Sequence, residues 1–392
     1  MKRLAIAISH PIQYHAPLYA YLAKDGRFDL KVFYMTDRGA RAYYEKLAKT
    51  MVKFDNPILD GYDYEFLRQG EPKNWWERKA ETIHPRLVRR LLDHTPHAVY
   101  FHGYTNPSFW PAIRMCRQNG IKVLLRGENE DLLPRSTWRN FMREAFLKIL
   151  LPNVDAILYI GKYNKEFFMK RGWPENKLFH VPYSVDSTYF RGGYSKEQIS
   201  QIRLKITEKY NLSPETRLFI YTHKFRETMR PLDAVQAFCD ALPTIRNSVA
   251  LLMCGDGELR GEMEQIIQAQ GQGKVVLTGF LSQNNLKEHL LASDIMVNPA
   301  IEPWGCSINE GLASELAMIS SDLVAGWPDM VKAGENGYTY PCGDLQELAG
   351  RIRELSDMPL SQLESMKSKS FNLSEDLGFA TCAAGLAAAM KS

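Results

Sequence analysis

The 392-residue chain lacks any apolar run near the ~18–20 residues that a membrane span requires, so no spanning segment is expected. Its first apolar stretch, Leu4–Ile8, falls short of the ~7–15 residues of a signal peptide, and no small-residue cleavage site follows it. That stretch is read as a buried strand. The six cysteines (Cys116, Cys239, Cys254, Cys306, Cys342 and Cys382) form no CxxC pair and no Cys/His cluster. This spacing argues against a zinc site and for free thiols in a reducing compartment. Charge of one sign is missing too: 49 Lys and Arg against 45 Asp and Glu leave a net +4. So mild a balance, with no nucleic-acid motif, speaks against nucleic acid as a partner. Internal repeats and low-complexity tracts are absent.

What is present is alternation. Short apolar runs at Leu4–Ile8, Leu30–Tyr34, Ala98–Phe101, Lys122–Leu125 and Ala156–Ile160 read as strands with helical stretches between them. The pattern returns at Leu218–Tyr221, Val249–Met253, Val275–Leu277, Ile295–Val297 and Met318–Ser320. Helices are expected at Pro231–Leu242, Glu258–Gln270, Asn284–Ala292 and Ser307–Leu316. Continuous apolar strands separated by helices indicate parallel sheets covered on both faces. The expected class is α/β: two doubly wound, Rossmann-like domains facing each other across a cleft. The boundaries fall at 1–185, 186–372 and a C-terminal helix at 373–392, which is free to return to the N-terminal domain. Ligands of such sheets bind outside the carboxyl ends of the strands, which directs attention to the loops there.

The densest chemistry lies in Glu302-Pro303-Trp304-Gly305-Cys306-Ser307-Ile308-Asn309-Glu310. Two carboxylates flank a loop-to-helix junction, with the helix starting near Ser307. Its free N–H groups and positive dipole end suit a diphosphate, and Gly305 lets a ligand approach the backbone. Glu310 can accept hydrogen bonds from paired hydroxyls such as those of a ribose, and Glu302 can reach a sugar over the helix end. The alternative is a capping box, Ser307-x-x-Glu310, that only completes the helix. Upstream, Lys224 and Arg230 can both aim at phosphate oxygens and neutralise a departing diphosphate without a metal ion; a solvated basic loop is the alternative. Gly255-Asp256-Gly257 makes a turn. Backbone at Gly279, Phe280 and Leu281 can pair with the edge of a nucleobase.

In order and spacing, Lys224…Arg230, Gly255-x-Gly257, Gly279-Phe280, Ala292-Ser293-Asp294, Asn298-Pro299, Glu302-x7-Glu310, Gly334–Gly337 and Gly343-Asp344 resemble the family 4 glycosyltransferases. These are retaining enzymes of the GT-B fold, many serving bacterial polysaccharide and glycolipid synthesis. The likeness covers about residues 181–350. It implies that Lys224 and Arg230 bind the donor diphosphate, in an order of residue types opposite to the commoner one. It implies that Glu302 lies by the transferred sugar and that Glu310 binds the ribose. Amides near Gly305, Cys306 and Ser307 would hold sugar hydroxyls or phosphate, and Phe280-Leu281 would contact the base. The implied reaction moves a sugar from a nucleotide diphosphate sugar, with uridine first and guanosine second, to a saccharide or lipid-linked saccharide. The departing diphosphate would take the acceptor's proton on the same face of the sugar. No Asp-x-Asp triplet, the metal clamp of the other large transferase fold, occurs, so neither metal nor cofactor is expected.

The first half departs from the family pattern. A Gly-Gly loop is replaced by Ser9-His10-Pro11-Ile12-Gln13-Tyr14-His15, and a family histidine by Leu125-Arg126-Gly127-Glu128-Asn129-Glu130. His10, Gln13, His15, His102, Glu128 and Asn129 are the candidate acceptor-side residues, each with a purely structural role as the alternative. Basic residues interleaved with Trp75 and Trp76 in 68–90 suit an anionic membrane surface. So does a stripe of Arg135, Arg139, Arg143 and Lys148 opposite Trp138, Phe141, Phe146 and Leu150. The ordinary readings are a solvated basic face and a core-facing aromatic stripe. Together these features place the chain in the cytoplasm, peripheral at the inner face of the membrane if the basic segments bind lipid. Two rival functions remain open: a nucleotide-sugar epimerase of the same fold, and a non-catalytic sugar-binding protein.

Overall fold

The computed structural model describes residues 1–40, 43–45, 50–52, 58–70, 86–133 and 136–392. The chain divides into two compact units. One comprises Met1–Tyr43, Met51–Tyr183 and Phe379–Ser392, and the other is formed mainly by Ser184–Gly378.

The first unit is built on strands β1 (Lys2–Ile8) and β2 (Phe28–Tyr34), while β3 (Tyr43–Glu45) and β4 (Thr50–Val52) form a separate two-stranded sheet. The first unit continues with β5 (Asp63–Phe66), β6 (Ala98–His102), β7 (Lys122–Arg126), β8 (Ala156–Tyr159) and β9 (Leu178–His180). Its seven-stranded sheet runs β5-β2-β1-β6-β7-β8-β9, every pairing parallel. The apolar runs are continuous because both faces are covered: Leu4, Ile6 and Ile8 enter one core and Ala5 and Ala7 the other, as the two-residue strand period requires.

The C-terminal helix Phe379–Ala389 closes one of these faces, putting Cys382, Ala383, Leu386 and Ala389 against β1, β6 and β8. Its small residues have a steric cause. A Cβ on Gly385 would lie 2.0 Å from the His180 carbonyl oxygen, so only glycine lets the helix meet β9 this closely. Leu377 and Gly378 separate it from the preceding helix, Leu360–Asp376.

The second unit holds β10 (Arg217–Tyr221), β11 (Val249–Cys254), β12 (Val275–Gly279), β13 (Ile295–Asn298), β14 (Ala317–Ser321) and β15 (Gly337–Tyr340). They form a parallel sheet in the order β12-β11-β10-β13-β14-β15. This is the 3-2-1-4-5-6 order of a dinucleotide-binding domain, and the first unit follows the same scheme with one added strand. Each sheet therefore has a point where chain direction around the sheet reverses: between β1 and β6 in the first, and between β10 and β13 in the second. Loops part at those points and leave room for a ligand.

Two sheet strands were not evident from hydropathy. β5 carries Asp63 and Glu65 on the sheet edge, and β15 opens on a glycine. Gly337 is required there, since a Cβ would sit 2.1 Å from the Met318 carbonyl oxygen.

Candidate functional site

In the second unit the chemistry gathers at the reversal point. β10 runs into His223, β13 ends in Asn298, and the loop after β13 carries Glu302 and leads into the helix Cys306–Ala313. Gly305 caps this helix at φ 109°, with its α-carbon against Val324, where a Cβ would approach Cγ1 to 2.7 Å. The helix therefore begins at Cys306 and not at Ser307, and the capping-box alternative is not realised: no side chain caps this end. The Ser307 hydroxyl is used otherwise. It lies 3.1 Å from His223 Nε2 and accepts a hydrogen bond from Asn298 Nδ2 at 3.2 Å. Asn298 Nδ2 also donates to Glu302 Oε1 at 3.1 Å, and His223 Nε2 stands 4.0 Å from the same oxygen. The backbone N–H groups of Gly305 and Ser307 donate to no protein acceptor among the described residues, so the positive end of the helix stays open to an anion.

Burial holds the His223 imidazole below its usual range, with Glu302 and a hydrogen bond to Asn298 acting against it.

The basic loop is pinned from two sides. Phe225 N–H donates to the Asp256 carbonyl at 3.1 Å and Leu259 N–H to the Phe225 carbonyl at 3.1 Å. Here the Gly255-x-Gly257 turn finds its reason: a Cβ would fall 2.1 Å from the His223 carbonyl oxygen at Gly255, and 2.5 Å from the Phe225 carbonyl oxygen at Gly257. On the other side Ile301 N–H donates to the Thr228 carbonyl at 2.9 Å, joining the basic loop to the loop of Glu302. Lys224 is exposed beside His223. Arg230 adopts a left-handed φ of 49° immediately before Pro231 opens the helix Pro231–Ala241. Its guanidinium grips Asp233 at 2.6 and 2.7 Å, which fixes its direction, and the Gly343 turn packs against it.

Glu310 is only 7% exposed, in a helix whose residues Ser307 to Ala313 are all buried. No hydrogen bond or ion pair reaches its carboxyl among the described residues, and burial alone pushes it up to about 8. A buried carboxyl without donors is an acceptor in want of hydroxyls. Gly279 ends β12 at φ 74° and is followed by Phe280, exposed, and Leu281, half-buried.

The first unit has its own cavity of about 350 Å³ at the β1/β6 reversal point. His15, His102, Glu128 and Asn129 line it; His10 and Gln13 do not. His10 instead pairs its Nδ1 with the Ser9 hydroxyl at 2.9 Å. The His15 and His102 rings stand 4.5 Å apart, and Tyr19 Oη lies 2.8 Å from His102 Nε2. Burial, with like charge from Arg126 adding to it, holds both imidazoles well below their usual range. The Glu128 carboxyl reaches solvent yet is crowded by the cavity wall. It lies above the usual carboxylate range because of that crowding, with Arg126 opposing, and it accepts the Tyr183 hydroxyl. Buried Asn164 fixes this wall: its Nδ2 donates to the carbonyls of Gly127 and Asn129 at 2.8 and 2.7 Å, while its Oδ1 accepts from Ile160 N–H at 3.1 Å.

His223 and Asn298 in one unit and Arg126 and Tyr183 in the other were not singled out from sequence. Three of them stand at or just past a strand's carboxyl end, which is the available signal.

Two parallel sheets with this strand order, each with a site at its reversal point, are Rossmann-like domains of the GT-B fold. Residues 203–372 match the family model of the glycosyl transferases group 1, and that domain belongs to this family. The chain is 27% identical over 164 residues, 41% of each protein, to the N-acetyl-alpha-D-glucosaminyl L-malate synthase of Bacillus anthracis. It is 20% identical over 232 residues to a Campylobacter jejuni alpha-1,4-N-acetyl-D-galactosaminyltransferase named for an undecaprenol-diphosphate-linked acceptor, covering 59% of this chain and 57% of that one. The matched stretches thus span under two thirds of these curated relatives. Anabaena HepE, solved in complex with UDP, superposes with a TM-score of 0.72 over 99% of this chain and 98% of that one, at 15% identity.

Proposed function

We propose that the chain is a retaining glycosyltransferase that moves a sugar from a nucleotide diphosphate sugar, with UDP the first choice and GDP the second, to a saccharide or lipid-linked saccharide. The observation that carries this reading is the cluster of His223, Asn298, Glu302 and Ser307 at the open end of the Cys306–Ala313 helix, with Glu310 unsatisfied one turn further on. The helix end, Lys224 and Arg230 would stabilise the charge that grows on the leaving diphosphate. Glu302, oriented by Asn298, would hold the sugar and offset positive charge on its ring. The diphosphate itself would receive the acceptor's proton, so the protein supplies position and electrostatics and no metal takes part. The group 1 domain, the transferase names of the matched relatives and a UDP-bound neighbour of the same fold favour this reading. A thermal-shift screen of nucleotide sugars followed by product analysis tests it. Sugar transferred with its anomeric configuration kept, in the presence of EDTA, is expected. Isomerised nucleotide sugar formed without an acceptor, or donor that binds and never turns over, would contradict it.

The same reading extends to the membrane on one face of the helix Thr137–Leu150. Trp138, Phe141, Met142 and Ile149 are 68, 62, 50 and 66% exposed. At 100° per residue they share an arc of roughly 100° with Arg139 and Lys148 at its edges. The aromatic stripe expected to face the core therefore divides: Leu150 is buried and Phe146 half-buried, while Trp138 and Phe141 face out. Arg143 leaves the basic stripe for ion pairs with Asp131 and Glu144. Arg135, Trp75 and Trp76 lie outside the described residues. An apolar arc flanked by cations fits an anionic lipid surface, where long basic side chains reach the head groups. No helix among the described residues is long and apolar enough to cross a membrane. Flotation with anionic vesicles, lost in Trp138→Ser/Phe141→Ser and with zwitterionic lipid, is the expected result; flotation unchanged in the double variant would refute this surface.

A further inference from the structure

Arg126 ends β7 and is 2% exposed, yet it lines the first unit's cavity. Its guanidinium plane stacks on the Tyr183 ring at 4.0 Å and its Nη1 donates to Tyr100 Oη at 3.1 Å. Its Nε and Nη2 find no acceptor among the described residues. A buried cation is costly unless it is paired, and among the described residues no carboxylate lies within ion-pair distance. Glu128 is the acidic group nearest in effect, but its carboxylate is engaged by the Tyr183 hydroxyl. The neighbouring histidines, His15 and His102, supply no negative charge. A stacked, immobilised guanidinium with an unused Nε–Nη2 edge is the fork that grips two oxygens of one oxyanion.

We infer that Arg126 is the anchor of an oxyanion subsite in this cavity, so that the acceptor sugar carries a phosphate or a carboxylate group. This rests on the transferase reading, with the acceptor bound in the first unit. Tyr183 orders the fork from one side and Tyr100 from the other. Glu128 at the rim disfavours a second anion and leaves the site selective for a single one. Asn164, by holding the carbonyls of Gly127 and Asn129, keeps the segment just after Arg126 in place.

The test is equilibrium binding to the full chain, at fixed ionic strength, of glucose 6-phosphate, glucuronate and glucose, for the wild type, Arg126→Met and Glu128→Gln. The wild type is expected to bind at least one of the two anionic sugars about tenfold more tightly than glucose. The one preferred identifies the oxyanion as tetrahedral or planar. Arg126→Met should lose that preference, and Glu128→Gln should strengthen it several-fold. UDP binding is measured on the same samples. Unchanged UDP affinity in the variants shows a folded donor domain and separates this inference from the transferase reading. A wild type that does not distinguish the three sugars overturns the subsite, as does an Arg126→Met variant that binds UDP and keeps the preference. If Arg126→Met fails to fold, the wild-type comparison and Glu128→Gln decide: a Glu128→Gln variant with no gain for the anionic sugars also counts against it.

Discussion

His223 Nε2 stands 4.0 Å from Glu302 Oε1, although the two residues come from loops after different strands. Asn298 and Ser307 close the space around them: Asn298 Nδ2 holds both the Glu302 carboxylate and the Ser307 hydroxyl, and Ser307 in turn meets His223. The strand order makes this meeting possible, because β10 and β13 are adjacent in the sheet and far apart in sequence.

If this cluster works on a departing diphosphate, Lys224→Ala, Arg230→Ala and Glu302→Gln each lower kcat at least ~100-fold, the usual effect of removing one stabilising group in the transition state. Far-UV circular dichroism should remain that of the wild type in all three, while Arg230→Ala, which also loses the Asp233 ion pair, should melt slightly earlier than the other two. Steady-state rates near wild type in all three would remove the mechanism.

Glu310 predicts a pH dependence with a definite sign. Its folded pKa, raised to about 8, exceeds the ordinary value of 4.5, so between these values the folded chain retains a proton that the unfolded chain has lost. The Glu310 contribution to stability is fully present below about pH 4.5 and declines by as much as ~1.4 kcal/mol per pH unit up to about pH 8. Glu310→Gln lacks this decline, so its melting advantage over the wild type should widen from about pH 5 to 8. It should also weaken nucleotide binding, since an amide is a poorer acceptor for ribose hydroxyls. Parallel pH–melting curves for the two proteins would contradict the burial argument.

The Gly257 turn should be intolerant of any side chain. A Cβ 2.5 Å from the Phe225 carbonyl oxygen must push the basic loop outward, at a cost of ~1–3 kcal/mol. Gly257→Ala is therefore expected to lower both the melting temperature and donor affinity. Gly261→Ala is the control: nothing lies within 4 Å of its Cβ position, in the helix Arg260–Gln270, so it should stabilise by ~0.5–1 kcal/mol. Differential scanning calorimetry distinguishes the two.

Asn164→Ala removes two hydrogen bonds from the loop after β7 and one from Ile160 N–H after β8, all inside a buried site. Leaving two carbonyls and one N–H unsatisfied should cost ~2 kcal/mol or more. The loss belongs to the unit holding His15 and His102, so acceptor affinity should fall while UDP affinity holds. Loss of UDP affinity alone would contradict this division of labour.

Much of the fold was legible because both sheets bury two faces. Continuous apolar runs such as Val249–Cys254 then mark strands without ambiguity, and the helices between them follow. What escaped was set by edges and contacts: β5 with its charges, and β15 led by a glycine that serves close packing on Met318. The candidate site of the second unit was legible through Glu302, Gly305 and Glu310, which sit in one nine-residue stretch. His223 and Asn298 were less so, because their significance lies in adjacency across the sheet. Arg126 carried only the signal of its place at a strand's end: a single arginine after an apolar strand gains meaning only when burial and its missing partners are seen. The division of the Thr137–Leu150 helix between core and solvent was also hidden, since Trp138 and Leu150 have the same apolar character in sequence.

A crystal structure of the chain soaked with UDP bears most directly on the central claim. The expected density puts the diphosphate on the Gly305–Ser307 amides with Lys224 and Arg230 beside it, and the ribose hydroxyls on Glu310. Nucleotide bound elsewhere, with Glu310 still lacking a partner, would contradict it.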